Sequence, residues 1–273
     1  MAGGRPVRAA MTLRAGQPPD PGVRGTGATA AREQRPPRAQ GGPAITIVVE
    51  DDPDYADIIS YTLKRESHEV VVFDTAAAAV AFAAKKPLKL AVLDVMLPDA
   101  TGLELCNVLR RLTPNLPILF LSSLDTSSDV VAGLHAGGDD YMTKPFHPSE
   151  LAARAQALVR RAGTYAGQTE RGGTRLSQRG LEADRDGQEA YLDGKPLGCT
   201  PFEVEILAQL LHYPGQALSH GFLTQQVWGY SNVQDASLLK GHISSLRKKV
   251  KDGGGSPDLI RTVHGVGYSY TPL

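Results

Sequence analysis

The stretch ITIVVEDD, residues 45–52, is the clearest single signal of the fold of this chain. Five residues typical of a buried β-strand run directly into Glu50, Asp51 and Asp52. Adjacent carboxylates repel one another, and removing them from water is costly. A strand with this ending therefore needs something at its carboxyl end that compensates the charge.

Apolar runs and helix-length stretches alternate from residue 44 to residue 161. This alternation predicts an α/β domain with a parallel sheet covered on both faces, a flavodoxin-like, doubly wound sheet of five strands. The predicted strands are 45–49, 70–73, 88–93, 118–121 and 141–142, and the predicted helices are 54–66, 75–85, 102–112, 127–136 and 149–161.

The pattern changes after a polar, Gly-rich linker over residues 162–175. Two Asp-Gly pairs, at 186–187 and 193–194, are strong turn signals and predict a small antiparallel sheet. Helical patterns over 201–212, 220–228 and 236–251 come next, and a Gly-rich hairpin over 260–270 ends the chain. Residues 176–273 therefore read as a winged helix-turn-helix domain.

Charge divides the chain into three parts, although the net charge is zero. Residues 1–43 hold seven basic and two acidic side chains, residues 44–161 hold eleven and sixteen, and residues 162–273 hold eleven of each. The first segment is rich in Gly, Pro and Ala without apolar periodicity, which predicts a disordered basic tail. A nucleic-acid-binding arm, a targeting leader and a start codon placed too far upstream are the alternatives.

Two isolated cysteines and the absence of a long apolar run exclude a disulfide framework and a membrane span. We therefore expect a cytoplasmic protein with no membrane partner.

The carboxyl ends of the predicted strands collect polar groups at one edge of the sheet. Besides the three acids, they are Asp94, Ser122 and Lys144. Carboxylates at this edge indicate a site for a hard divalent cation, Mg²⁺. With such a cation, a carboxylate such as Asp94 can attack a phosphoryl group. The alternative for Asp51 and Asp52 is that they cap the next helix, ahead of Pro53.

Four motifs, VVEDD, LDVMLPD, LSS and DDYMTKPF, resemble the signatures of response-regulator receiver domains in order and spacing. The resemblance covers residues 44–161 and implies that Asp94 is the phosphoacceptor. It implies that Asp51, Asp94 and the Met96 carbonyl hold Mg²⁺, with Glu50 acting through water. It further implies that Ser122, Tyr141 and Lys144 respond to the phosphate, with a cis bond between Lys144 and Pro145; plain packing is the alternative for Tyr141.

The motifs TPFEVEIL, VWG, HISSLRKKV and IRTVHGVGY resemble the DNA-binding domain of the OmpR/PhoB type. Its third helix carries an apolar stripe and an opposite face of small and basic residues, the pattern of a recognition helix. Three features depart from the family: Gly241 stands in mid-helix, serines stand at 244 and 245 where many members carry arginine, and His264 stands where many carry a basic wing residue. The implied DNA contacts are Lys240, His242, Ser244, Ser245, Arg247 and Lys248 from the helix, and Arg261, Thr262 and His264 from the wing.

The two resemblances together predict a phosphorylation-controlled transcriptional regulator. Its partners would be a sensor histidine kinase, promoter half-sites in double-stranded DNA, and a second copy bound through Asp140, Arg154 and Arg161. The loop 229–234 is a candidate contact for RNA polymerase. The chain is not expected to be an enzyme beyond its own phosphoryl transfer and dephosphorylation.

Two other classes remain as alternatives. A phosphatase with an aspartyl nucleophile would need a second acid where Met96 stands. A regulator that does not use phosphate would be expected to lack Asp94 or Lys144, and both are present.

Overall fold

The computed structural model describes residues 44–165, 175–229 and 235–272; of residues 163–165 and 235 only the backbone is described. The predicted tail 1–43 and most of the predicted linker lie outside these ranges.

A five-stranded parallel sheet with the strand order β2-β1-β3-β4-β5 forms the first domain. The fold class predicted from the alternating pattern is confirmed. The strands are β1 Ile45–Val49, β2 Val70–Phe73, β3 Leu88–Asp94, β4 Ile118–Ser122 and β5 Asp140–Thr143. The helices are α1 Pro53–Arg65, α2 Ala76–Ala83, α3 Gly102–Leu112, α4 Ser127–His135 and α5 Pro148–Tyr165.

The central strands are almost completely buried, which explains their continuous apolar sequences. All five residues of β1 and all five of β4 are buried, because helices cover both faces of the sheet. Helix α5 runs to Tyr165, four residues beyond the predicted end at 161, and so includes the first residues of the predicted linker.

A four-stranded antiparallel sheet begins the second part of the chain. It contains β6 Arg175–Gln178, β7 Leu181–Asp184, β8 Glu189–Leu192 and β9 Lys195–Pro196. Asp193 and Gly194 form the predicted tight turn with positive φ angles of 49° and 76°. Asp186 and Gly187 lie in the longer loop between β7 and β8.

The winged unit follows, with α6 Pro201–His212, β10 Leu218–Ser219, α7 His220–Trp228, α8 Asp235–Asp252, a 3₁₀ turn at Pro257–Leu259, β11 Ile260–Val263 and β12 Gly267–Tyr270. Leu239, Ile243, Leu246 and Val250 of α8 are buried, as the apolar stripe predicts. The described parts of both domains belong to one compact unit, in which α4 and α8 lie against each other.

Candidate functional site

An ammonium group lies between two carboxylates at the carboxyl edge of the parallel sheet. The Nζ atom of Lys144 is 2.6 Å from Oδ2 of Asp94, and it is 2.8 Å and 2.6 Å from the two carboxylate oxygens of Glu50. Glu50 follows β1, Asp94 ends β3 and Lys144 follows β5, so parallel strands bring together residues as far as 94 positions apart. The bond between Lys144 and Pro145 is cis, as the resemblance implies.

Burial and pairing act in opposite directions on these groups. Burial raises the pKa of Glu50 to about 6, and the contact with Lys144 opposes that rise. Burial also acts to lower the pKa of Lys144, but its hydrogen bonds to Asp94 and Glu50 outweigh this effect, so its pKa is raised. Lys144 therefore remains charged at neutral pH and offsets the charge that the adjacent acids accumulate.

Glu50, Asp51 and Asp94 form an acidic cluster in which one ligand oxygen from each lies within 4.8 Å of the others. Such a set of hard oxygen donors fits a divalent cation such as Mg²⁺. Both oxygens of Glu50 contact Lys144, whereas Asp51 is exposed to solvent. The side chain of Met96 is also exposed, and its backbone N–H donates to Oδ1 of Asp94 over 3.0 Å.

Asp52 caps helix α1, unlike its acidic neighbours Glu50 and Asp51. Its carboxylate accepts hydrogen bonds from the backbone N–H groups of Asp54 and Tyr55, and Pro53 occupies the first helical position. Capping, the alternative considered for the acids, therefore applies to Asp52. Asp51, in contrast, belongs to the acidic cluster with Glu50 and Asp94.

The hydroxyl and the aromatic residue predicted to respond to phosphate lie on the neighbouring strands β4 and β5. Ser122 is fully buried, and its Oγ accepts a hydrogen bond from the backbone N–H of Leu124. The hydroxyl of Tyr141 donates to the backbone carbonyl of Leu124 over 2.9 Å. Tyr141 is thus turned inward under α4, while Ser123 points to solvent.

Gly102 is a site residue that the sequence reasoning missed. A Cβ atom at this position would lie 2.0 Å from the backbone oxygen of Asp94. The first turn of α3 can approach the end of β3 only because no side chain intervenes. A glycine at the first position of a helix, eight residues after the predicted phosphoacceptor, was the available signal.

The three residues predicted to form a dimer contact have partners within the chain. Asp140 and Arg154 form a buried ion pair with a distance of 2.9 Å between Arg154 Nη1 and Asp140 Oδ1. Arg161 donates to the backbone carbonyl of Gln226 in α7. Their participation in a dimer stays a prediction.

The predicted DNA contacts divide into an exposed set, a half-buried pair and a buried pair. Lys240, Lys248, Arg261, Thr262 and His264 are exposed. Ser244 and Arg247 are half-buried, and Arg247 donates to the carbonyl of Ile260 and the hydroxyl of Thr262, which ties the wing to α8.

His242 and Ser245 are buried, with 0% and 3% of their surfaces exposed. The Nε2 atom of His242 lies 3.1 Å from the backbone oxygen of Asp139 in the first domain. A DNA contact by His242 would therefore require the domains to separate, whereas Ser245 is buried beside Glu203 of α6 in its own domain.

No helix in the described residues has the length and apolar character needed to cross a membrane.

Family models match both halves of the chain. Residues 46–156 match the response regulator receiver domain, and residues 194–270 match the C-terminal domain of transcriptional regulatory proteins.

Full-length relatives agree with these matches. The chain is 37% identical to the probable transcriptional regulatory protein TcrX of Mycobacterium tuberculosis, over 86% of this chain and 98% of the relative. It is 36% identical to the regulatory protein VanR of Enterococcus faecium, over 81% and 96%. A solved structure of a RitR C128S mutant matches with a TM-score of 0.66 over 83% of this chain and 98% of that one; at 23% identity this likeness shows the fold alone.

Proposed function

This chain belongs to the OmpR/PhoB-type response regulators of two-component systems, which regulate transcription in response to phosphorylation, and we propose that Asp94 is its phosphoacceptor. The observation that carries the proposal is the contact between Lys144 and Asp94 beside Glu50 and Asp51. A carboxylate in this setting has a fixed cation next to the oxygen that would receive the phosphoryl group.

The proposed transfer exchanges one bond to phosphorus for another. An oxygen of Asp94 forms a bond to phosphorus while the bond between phosphorus and the histidine nitrogen of a sensor kinase breaks, and the imidazole leaves. The ammonium of Lys144 stabilises the charge on the phosphoryl oxygens and orients the carboxylate. An Mg²⁺ ion held by Asp51, Asp94 and the Met96 carbonyl, with Glu50 acting through water, would neutralise further charge on those oxygens.

Phosphorylation of Asp94 would then change the surroundings of Ser122 and Tyr141. A phosphoryl group adds charge and strong acceptor oxygens that compete for Lys144 and for the Ser122 hydroxyl. Movement of Ser122 frees the segment around Leu124, to which the hydroxyl of Tyr141 is bonded. Such movement alters the face formed by α4, β5 and α5, which we propose forms the dimer on activation.

The proposed output is binding of a dimer to paired promoter half-sites. Lys240 and Lys248 on α8, with Arg261, Thr262 and His264 on the wing, are exposed and available for phosphate contacts. His242, Ser244, Ser245 and Arg247 complete the proposed surface. The proposed contact with RNA polymerase is the loop 229–234, of which residues 230–234 lie outside the described residues.

Intact-mass spectrometry after incubation with acetyl phosphate and Mg²⁺ tests the phosphoacceptor. One phosphoryl adduct is expected in the wild type and in Asp54→Asn, whose carboxylate is exposed on α1, and none in Asp94→Asn. An adduct of unchanged yield in Asp94→Asn would contradict the assignment. Sedimentation with beryllofluoride and Mg²⁺ then tests whether dimerisation follows.

A further inference from the structure

The ring of Tyr55 lies over the ammonium group of Lys144. The Nζ atom is 4.5 Å from the centroid of the ring, inside the distance of about 6 Å within which an aromatic face attracts a cation. The side chain of Lys144 is only 4% exposed, so water competes little with this attraction. The ammonium therefore has an aromatic partner in addition to its carboxylate partners Glu50 and Asp94.

The start of α1 fixes the position of this ring. Tyr55 is the third residue of the helix, and its backbone N–H donates to Oδ1 of Asp52, the capping residue, over 3.2 Å. Its side chain is half-buried and packs against the hydrophobic core. The cap and the packing together hold the ring close to the end of β1, which Glu50 follows.

A second aromatic residue, Phe146, packs against the ring of Tyr55. The two ring centroids are 6.0 Å apart and the planes are tilted by 38°, an arrangement in which aromatic pairs attract each other. Phe146 lies two positions after Lys144 in the segment that follows β5. Tyr55 thus joins the segment after β1 to the segment after β5, and these segments supply Glu50 and Lys144.

The ring holds the ammonium without using any of its hydrogen-bond donors. An ammonium group has three N–H donors. Three carboxylate oxygens lie within hydrogen-bond distance of Nζ, two of Glu50 at 2.8 Å and 2.6 Å and one of Asp94 at 2.6 Å. An aromatic face attracts the positive charge as a whole and accepts no N–H. Every donor of Lys144 therefore remains available to an oxygen.

The proposed phosphoryl transfer changes the oxygen contacts of Lys144 but not its contact with the ring. The new bond from an oxygen of Asp94 to phosphorus withdraws negative charge from that carboxylate, so its attraction for Lys144 weakens. New charge must then be stabilised on the phosphoryl oxygens. The attraction of the neutral ring for the ammonium does not depend on the charge of Asp94.

We propose that Tyr55 is a positioning residue for phosphoryl transfer, whose ring holds the ammonium of Lys144 where the phosphoryl oxygens arrive. A cation that is fixed in advance need not reorganise during the reaction. Displacement of such a group by about 1 Å can lower a rate about a hundredfold. The proposal rests on the proposed function of Asp94 and identifies a residue that acts there through Lys144.

Two substitutions separate this role from simple packing. Tyr55→Leu keeps an apolar side chain at the start of α1 but removes the aromatic face. Tyr55→Phe keeps the aromatic face and removes only the hydroxyl. A tyrosine that merely fills space would be replaced by leucine without loss of rate, whereas a tyrosine that holds a cation would be replaced only by another aromatic residue.

The rate of phosphorylation by acetyl phosphate at saturating Mg²⁺, followed by intact-mass spectrometry of the full chain, tests the proposal. We expect Tyr55→Leu to react about tenfold more slowly than the wild type and Tyr55→Phe to stay within about twofold of it. The matched control is Tyr61→Leu, the same exchange on the same helix at a side chain that is 66% exposed, and it should react like the wild type. Equal rates in Tyr55→Leu and the wild type, or a Tyr55→Phe chain as slow as Tyr55→Leu, would overturn the proposal.

The dependence of this rate on Mg²⁺ separates the positioning of Lys144 from a general distortion of the site. Asp51 lies four residues before Tyr55, so distortion of this segment would raise the Mg²⁺ concentration that gives half the maximal rate. We expect that concentration to stay unchanged in Tyr55→Leu while the maximal rate falls. A loss explained entirely by weaker binding of Mg²⁺ would overturn the proposal.

Nuclear magnetic resonance observes the contact without any phosphoryl transfer. Protons over the face of an aromatic ring are shielded, so the ε-methylene protons of Lys144 should resonate upfield of those of exposed lysines. Their signal is identified by its absence in Lys144→Gln. We expect the upfield position to persist in Tyr55→Phe and to be lost in Tyr55→Leu; an unshifted signal in the wild type would overturn the contact.

These measurements distinguish failure of this proposal from failure of the phosphoacceptor assignment. An adduct that forms as fast in Asp94→Asn as in the wild type would reject the assignment of Asp94, and the role of Tyr55 with it. An adduct that requires Asp94 but forms equally fast in the wild type and in Tyr55→Leu would reject the role of Tyr55 alone.

Discussion

The indole Nε1 of Trp228 donates to the backbone carbonyl of Asp139 across the contact between the two domains. Trp228 is fully buried and is the only tryptophan in the sequence. Its environment therefore reports on this contact without any added label.

Opening of the domains should shift the emission of Trp228 to longer wavelength. Separation exposes an indole that is dry in the closed form, and water lowers the energy of its excited state. Addition of beryllofluoride and Mg²⁺ should produce the shift in the wild type but not in Asp94→Asn, as measured by steady-state fluorescence. Emission that stays unchanged while the protein dimerises would show that activation leaves the contact intact.

Gly241→Leu should open the chain without unfolding it. The added side chain collides with Leu134, whereas leucine in mid-helix is favoured over glycine by about 1 kcal/mol, so α8 should be no less stable. Small-angle X-ray scattering should show a larger radius of gyration. Gly221→Leu provides the control, because its Cβ meets open space; equal radii for the two variants would argue against α4 and α8 as the closing contact.

Gly102→Ala should distort the proposed phosphorylation site, because residue 102, at the start of α3, lies against the backbone of Asp94. Its Cβ would overlap the backbone oxygen of Asp94, so α3 or the end of β3 must move, at a cost of about 1–3 kcal/mol. Chemical denaturation should register this loss, and mass spectrometry should show slower phosphorylation by acetyl phosphate. Gly221→Ala should instead be neutral or slightly stabilising. Full phosphorylation of Gly102→Ala would mean that the geometry tolerates the methyl group.

Lys144→Gln should make the stability of the receiver domain depend on Mg²⁺. Without the ammonium, Glu50 and Asp94 repel each other at the sheet edge, which should cost about 1–3 kcal/mol. A divalent cation at the acidic cluster would supply the missing charge, so denaturation midpoints should rise with added Mg²⁺ more than in the wild type. Lys85→Gln, at an exposed position, should respond as the wild type does. An identical response in both variants would count against a cation site at these residues.

Acid should favour the open form through His242. Burial lowers the pKa of His242, and the charges of Glu203 on α6 and of Asp139 and Asp140 in the receiver domain oppose this only in part. The closed form therefore prefers a neutral imidazole, whereas an opened form regains the ordinary pKa of about 6.5. Closure is fully favoured above that pH and is lost as the pH falls below it.

The emission of Trp228 between about pH 8 and pH 5.5 measures this dependence. Lys249 pairs with Glu203, and the exposed His135 has a pKa that is also lowered, with burial as the first cause, so it acts in the same direction. His242→Gln keeps a donor for the Asp139 carbonyl and should reduce the pH response. A closed fraction that increases in acid would contradict the argument.

The fold was predictable because its main signals are local. Continuous apolar runs locate the buried strands, and the bounds of β1, β2 and α3 agree with the prediction to the residue. The structure extends α5 to Tyr165 and α8 to Asp252, beyond the predicted ends at 161 and 251, because an apolar stripe marks only the core-facing turns of a helix.

The grouping of Glu50, Asp94 and Lys144 followed from topology, since parallel strands end at one edge. What the sequence could not show was contact between distant segments. Three features depend on how the elements pack together. They are the hydrogen bond from Lys144 to Glu50, the ion pair of Asp140 with Arg154, and the burial of His242. A helical wheel of α8 identifies a polar face, but it does not say whether water, DNA or another helix meets it.

Gly241 and Ser244 of α8 contact α4 of the receiver domain, and they also belong to the helix that we propose reads DNA. A substitution that improves the fit to one partner can spoil the fit to the other, so the operator sequences open to this regulator are limited by its own receiver domain. Exchanging its DNA-binding domain for that of a relative should transfer promoter choice to the hybrid but not the fit between α8 and α4. The contact between α4 and α8 is therefore a property of the matched pair of domains, and neither half carries it alone.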